Sequence, residues 1–146
     1  MKNSRFLVCL ISLAFVFSAT GCAAHLTRGE EMRWGILMQK SGIYNPIPFK
    51  SKPVTTVWSV VIPGTGHFYV GEAGLGVVYF LGNILWPINI LWTVPGGVQA
   101  AEVVNKRRTI DYYQTGAYSD VVERLRRKGK LPSNFKERDE VNLNEV

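Results

Sequence analysis

Apolar positions along this chain fall into two blocks separated by polar stretches. The first, Phe6 to Phe17 (FLVCLISLAFVF), is unbroken, and the second occupies residues 54–96 with charged segments on both sides. A water-soluble domain spreads its apolar residues over amphipathic elements around a core, whereas blocks of this kind read as membrane-inserting segments. In the second block, Val54 to Ile62 predicts a helix too short to span alone. Pro63-Gly64-Thr65-Gly66 interrupts it, His67-Phe68-Tyr69-Val70-Gly71 follows, and Gly74 to Val94 is long enough to cross. Pro87 cannot donate to the carbonyl of Asn83, which predicts a kink there. Asn83 and Asn89 are then polar residues inside the membrane. The pattern predicts a mainly α chain built on a helical membrane hairpin, two apolar helices kinked at Pro63 and Pro87.

The flanks predict short amphipathic helices. Thr27-Arg28-Gly29-Glu30 has capping-box spacing, Trp34, Leu37 and Met38 follow at helical intervals, and Gly42 is a natural stop, so a helix is expected near 28–41. Prolines 46 and 48 make residues 43–48 an extended linker. Beyond Gly96-Gly97, Ala100, Val103 and Ile110 share a helical face and Glu102 is placed to pair with Lys106 at i, i+4. A further helix is expected from an N-cap at Ser119, with Asp120 in its first turn and Arg126, Arg127 and Lys128 in its last, an order that suits the helix dipole. The chain thus divides into a leader (1–21), an amphipathic helix with a proline-containing linker (22–53), the apolar hairpin (54–96), basic amphipathic helices (97–130) and a disordered tail (131–146).

The first apolar block is too short to cross about 30 Å of hydrocarbon as a helix, but it fits the core of a signal peptide behind the positive Lys2 and Arg5. Ser18-Ala19-Thr20-Gly21-Cys22 follows. Small residues immediately ahead of a cysteine resemble the bacterial lipobox, which implies cleavage before Cys22 and acylation of its thiol with diacylglycerol, often with a further N-acyl chain. Cysteine usage agrees: the only other cysteine, Cys9, leaves with the leader, and a secreted chain with one free thiol would carry a reactive liability. Two or more acyl chains hold a protein on a membrane where one does so marginally.

Residues from Lys50 to about Asn105 resemble the TM2 domain family, a pair of membrane helices joined by a very short turn. The resemblance is carried by Lys50-Ser51-Lys52, by Pro63, Gly64, Gly66, His67, Phe68, Tyr69 and Gly71, and by Gly74-Leu75-Gly76. His67 stands where the family often has Arg, and Asn89 after Trp86 where it often has Asp. The family implies an architecture, with the 63–71 motif as its membrane turn, and little mechanism.

Composition adds direction but no chemistry. Apolar residues make up 47% and charged residues 19% of 146, and the net charge is +6, two of which belong to the leader. Basic residues cluster at Lys106-Arg107-Arg108 and again at 124–130, beside apolar segments, where anionic headgroups are the usual partners. No aromatic platform or DNA-binding motif accompanies them, so no nucleic-acid partner is expected. Tyr69 occupies the third glycine position of Gly-x-Gly-x-x-Gly, so the glycines serve close helix approach rather than a phosphate. His25 and His67 have no cysteine to join them and no metal site is expected. No cofactor is expected either, beyond the covalent lipid, and no catalytic set is present. The expected role is therefore non-enzymatic: a lipid-anchored envelope protein, structural or interacting with an unidentified envelope protein. The alternative is an accessory subunit of a transporter or envelope machine that uses Asn83 and Asn89. The lipobox places Cys22 outside the cytoplasm and the hairpin returns the tail to that side, with the apolar block favouring the inner membrane. Two full crossings would leave Lys50, Lys52 and Lys106-Arg107-Arg108 outside, against the positive-inside rule, whereas a hairpin dipping into the outer leaflet satisfies both signals.

Overall fold

The computed structural model describes residues 24–85 and 90–141. The leader, Cys22, Pro87, Asn89 and residues 142–146 lie outside them. Among the described residues the chain is mainly helical and forms no strand. Six α-helices succeed one another: α1 (Arg28–Ser41), α2 (Lys52–Val61), α3 (Thr65–Val70), α4 (Ala73–Leu85), α5 (Ile90–Thr115) and α6 (Ser119–Arg127), followed by a 3-10 turn at Arg138–Glu140. They form two compact units. Val54–Val98 makes a glycine-rich unit, and Ala24–Pro53 with Gln99–Val146 makes a charged unit.

In the charged unit the capping box forms as its spacing predicts. The Thr27 hydroxyl accepts from the Glu30 N–H at 3.3 Å, and the Thr27 N–H donates to the Glu30 carboxylate at 2.7 Å. Helix α1 ends at Gly42, whose N–H donates to the carbonyl of Met38 at 3.1 Å. Trp34 and Leu37 of α1 join Ile43, Ile47, Ile110, Tyr112, Tyr113 and Val122 in one core. Burial of each isoleucine contributes about 1.5–3 kcal/mol. The segment expected as a linker is therefore part of the core. Its backbone is held by α5: Ile47 N–H donates to Thr109 Oγ1 at 2.9 Å, and the Asn105 amide both accepts from Lys50 N–H (2.7 Å) and donates to Lys50 C=O (2.9 Å).

Two expectations are corrected here. Residues 131–141 are not a disordered tail. Leu131 and Phe135 pack against the core, Val141 is buried within it, and Tyr113 Oη donates to the Lys136 carbonyl at 2.9 Å. The polar composition of the segment concealed three well-spaced apolar anchors. Nor does Ser119 cap α6; the cap is Tyr118, at a left-handed φ of 64°, and Ser119 is the first helical residue. The Tyr118 ring holds that position between Phe49, at 5.5 Å between centroids, and the Arg108 guanidinium at 5.2 Å.

The glycine-rich unit departs further from its expectation. No helix among the described residues is long and apolar enough to cross a membrane. Pro63 does not kink one helix but separates two. It has no N–H to continue α2, and the Thr65 hydroxyl donates to the carbonyls of Trp58 and Ile62, both at 2.6 Å, closing the end. At the other end the division between the units falls at Val98 and Gln99, beside the expected Gly96-Gly97, but no helix stops there: α5 runs unbroken through Pro95, Gly96 and Gly97 to Thr115.

Candidate functional site: a polar interior behind an apolar exterior

The glycines of the 63–71 motif are explained by backbone contact. A Cβ on Gly64 would lie 2.5 Å from the carbonyl oxygen of Gly76 and 2.8 Å from the N of Phe80, so α4 meets the turn backbone to backbone. A Cβ on Gly66 would collide with Ser59 Oγ and lie 2.8 Å from the carbonyl of Thr55, and one on Gly97 would lie 2.8 Å from Ser59 Oγ. Ser59 is thus wedged between α3 and α5. The Phe68 ring, partly exposed, covers Gly76, where a Cβ would come within 2.8 Å of it. Pro63 is buried at the turn and Tyr69 is half-buried. Gly71 ends α3, its N–H directed at the carbonyls of His67 and Phe68.

His67, named above for its place in the turn motif, is fully buried. Its ring stacks on Tyr79 of α4 with centroids 4.8 Å apart and planes 22° from parallel. Its Nε2 lies 3.3 Å from where a Gly96 Cβ would stand, which is why α5 carries glycine there. Neither ring nitrogen has a hydrogen-bond partner among the described residues, and neither has Ser59 Oγ. Thr55 and Thr93 are also fully buried in this unit.

The outside of the unit has the opposite character. Val57, Val61, Val78, Leu81 and Leu91 are each between 54% and 65% exposed, and Trp58, Val60 and Phe80 are exposed beside them. Small and polar side chains fill the interior and large apolar ones cover the surface, the inverse of a water-solvated domain. Asn83 lies on α4; its side chain, like Asn89, lies outside the described residues.

Sequence reasoning missed Thr55, Ser59, Thr93, Tyr79, Gly96 and Gly97. A signal was present: Thr55 and Ser59, and Thr93 and Gly97, are small residues four apart on helical stretches whose other positions are large and apolar, the pattern of close helix crossing.

In the charged unit, Ala24, His25, Gln99, Glu102, Val103 and Lys106 line an open groove of about 240 Å³. Glu102 accepts from Lys106, as the i, i+4 spacing predicts, at 2.9 Å and from Lys52 at 2.8 Å. Hydrogen bonds from Lys52 and Lys106 hold its carboxyl down to about 2. A carboxyl with a depressed pKa adds stability above its ordinary value of 4.5, and that stability is lost as pH falls from there through about 2. With Glu102 about 40% exposed, solvent limits the contribution to about 1 kcal/mol or less. An NMR titration should place the Glu102 midpoint near 2, and Lys52→Ala should move it up toward the ordinary range; an unmoved midpoint would remove Lys52 as a cause.

The basic residues of α6 are largely neutralised by their own neighbours. Arg124 pairs with Asp120 at 2.9 Å, Arg126 with Glu123 at 3.5 Å and with Glu137, and Arg127 with Glu123 at 3.4 Å. Among the described residues no group of three or more His, Cys, Asp or Glu side chains is placed to hold a metal ion. Comparison with protein-family models, with curated proteins and with solved structures finds no match to the chain. Function is therefore argued from the geometry and the motifs alone.

Proposed function

We propose that this chain is a lipid-anchored protein of the bacterial envelope with a non-enzymatic, structural or interacting role, tethered through Cys22 and inserted through its glycine-rich unit. The observation that carries the reading is the inversion of that unit, polar within and apolar without. In water such an exterior costs about 25 cal/mol for each Å² of apolar surface left exposed. Against acyl chains the cost disappears, and the buried threonines, serine and histidine are the groups kept away from lipid. Among the described residues no helix is long and apolar enough to cross. The unit enters one leaflet and returns, which keeps the lipidated end and Lys106-Arg107-Arg108 on one side of the membrane. The resemblance to the TM2 family fits the paired short helices and the glycine contacts of the turn.

The test separates the two anchors. With Cys22→Ala the acyl tether is gone, and the protein should still sediment with membranes through an alkaline carbonate wash. Recovery in the supernatant would mean that the apolar exterior is covered by protein rather than lipid.

A further inference from the structure

The buried imidazole is unused by any role so far assigned to the chain. We propose that His67 is an acid-sensitive latch of the glycine-rich unit: as imidazole it packs α3 against α4, and as imidazolium it releases that packing. The inference does not rest on the membrane reading, because it concerns only the interior.

Three observations carry it. The side chain is fully buried, and neither nitrogen has a partner among the described residues, so no acceptor stands ready for a second N–H. Among the described residues no carboxylate acts on it to hold an imidazolium in place. From α4 comes the Tyr79 ring, stacked face to face, and from α5 the bare backbone at Gly96. Its own helix, Thr65–Val70, carries no other ionisable group except Tyr69. Burial is what acts on the ring, and it pushes the imidazole below its ordinary value of 6.5, with no charge of either sign contributing. The third observation is local fragility. Helix α3 has only 6 residues and is held by close contacts that any shift of its backbone would break.

Opening is favoured by acid. A neutral buried imidazole resists protonation while the opened chain accepts the proton, so stability is intact above 6.5 and declines as pH falls below it. Each pH unit below that value shifts the closed-to-open equilibrium about tenfold, until the closed form itself takes the proton. Glu30 and Glu102 do not confound this window, since both are held below the ordinary carboxyl value.

The experiment uses the full-length chain in neutral detergent, with Cys9 and Cys22 changed to serine and Val70→Cys as the reporter. Val70 is 2% exposed and lies one turn from His67 on α3, so its thiol is protected only while α3 is packed. Labelling by a dipyridyl disulfide is measured from pH 8 to pH 5, each rate divided by the rate in denaturant at the same pH. The expected result is a flat ratio down to about 6.5 and then a rise of about tenfold per unit. His67→Phe, which keeps a stacked ring, should abolish the rise, and replacing the exposed His25 by glutamine should leave it unchanged. A flat profile in the His67 protein, or an equal rise in His67→Phe, overturns the latch. If the phenylalanine variant is unprotected even at pH 8, imidazole ¹⁵N shifts decide instead. His67 should titrate below the ordinary imidazole value of 6.5, and a midpoint at or above that value would overturn the proposal.

Discussion

Gly64→Ala is expected to unfold the glycine-rich unit while leaving the charged unit intact. Gly64 sits at φ 92°, a conformation that costs an L-residue about 1–2 kcal/mol. The larger part of the effect is contact. The new Cβ would stand 2.5 Å from the Gly76 carbonyl and 2.8 Å from the Phe80 N, and both are backbone atoms of α4 that cannot rotate aside. Overpacking against a rigid wall adds about 1–3 kcal/mol. The total, on the order of 2–5 kcal/mol, is comparable with the whole stability of a unit this small. Gly71→Ala is the internal control. It shares the positive φ, at 97°, but its Cβ would meet nothing within 4 Å, so it should cost only the conformational part. Limited proteolysis of the two variants in detergent measures the difference, and equal sensitivity would refute the contact as the cause.

Cys22→Ala is expected to abolish lipidation completely. The acceptor is the sulfur, alanine has none, and the only other thiol, Cys9, lies in the expected leader. Processing before Cys22 is expected to follow acylation, so the variant should also accumulate with residues 1–21 attached. Metabolic labelling with an alkyne fatty acid reads the first effect, and intact mass reads the second. A label of equal intensity on variant and wild type would end the lipoprotein reading. The apolar exterior of the glycine-rich unit would then stand as a separate observation.

What could be read from the chain beforehand was the information carried by neighbours in sequence. Helix α1 came out at its expected bounds because Thr27, Glu30 and Gly42 act within a few residues of one another. The break at Pro63 is local in the same way, since it follows from a missing N–H, although a kink was expected there and two separate helices are found. Gly96-Gly97 misled for the opposite reason. They read only as the place where the apolar block gives way, yet their small size answers to His67 and Ser59, about thirty and forty residues earlier, and the helix passes through them. The tail misled because its anchors, Leu131, Phe135 and Val141, are sparse among charged residues and meet partners contributed by other helices. The burial of His67 was illegible on the same grounds, since Tyr79 and Gly96 reach it only once the helices have packed. Acylation of Cys22 and a membrane setting for Asn83 and Asn89 rest on motif and pattern, as proposals.

The clamp between the Asn105 amide and the Lys50 backbone bears on how such a chain is put together. Lys50 and Asn105 flank the glycine-rich segment in sequence, and their two hydrogen bonds turn everything between them into a closed loop whose ends are held by the charged unit. Loop closure depends only weakly on length, about 0.6 kcal/mol for each doubling. The enclosed segment can therefore lengthen, shorten or be exchanged with little consequence for the unit that holds it. The charged unit closes this loop with its own residues, so its closure entropy is the part of its stability least sensitive to the loop's length.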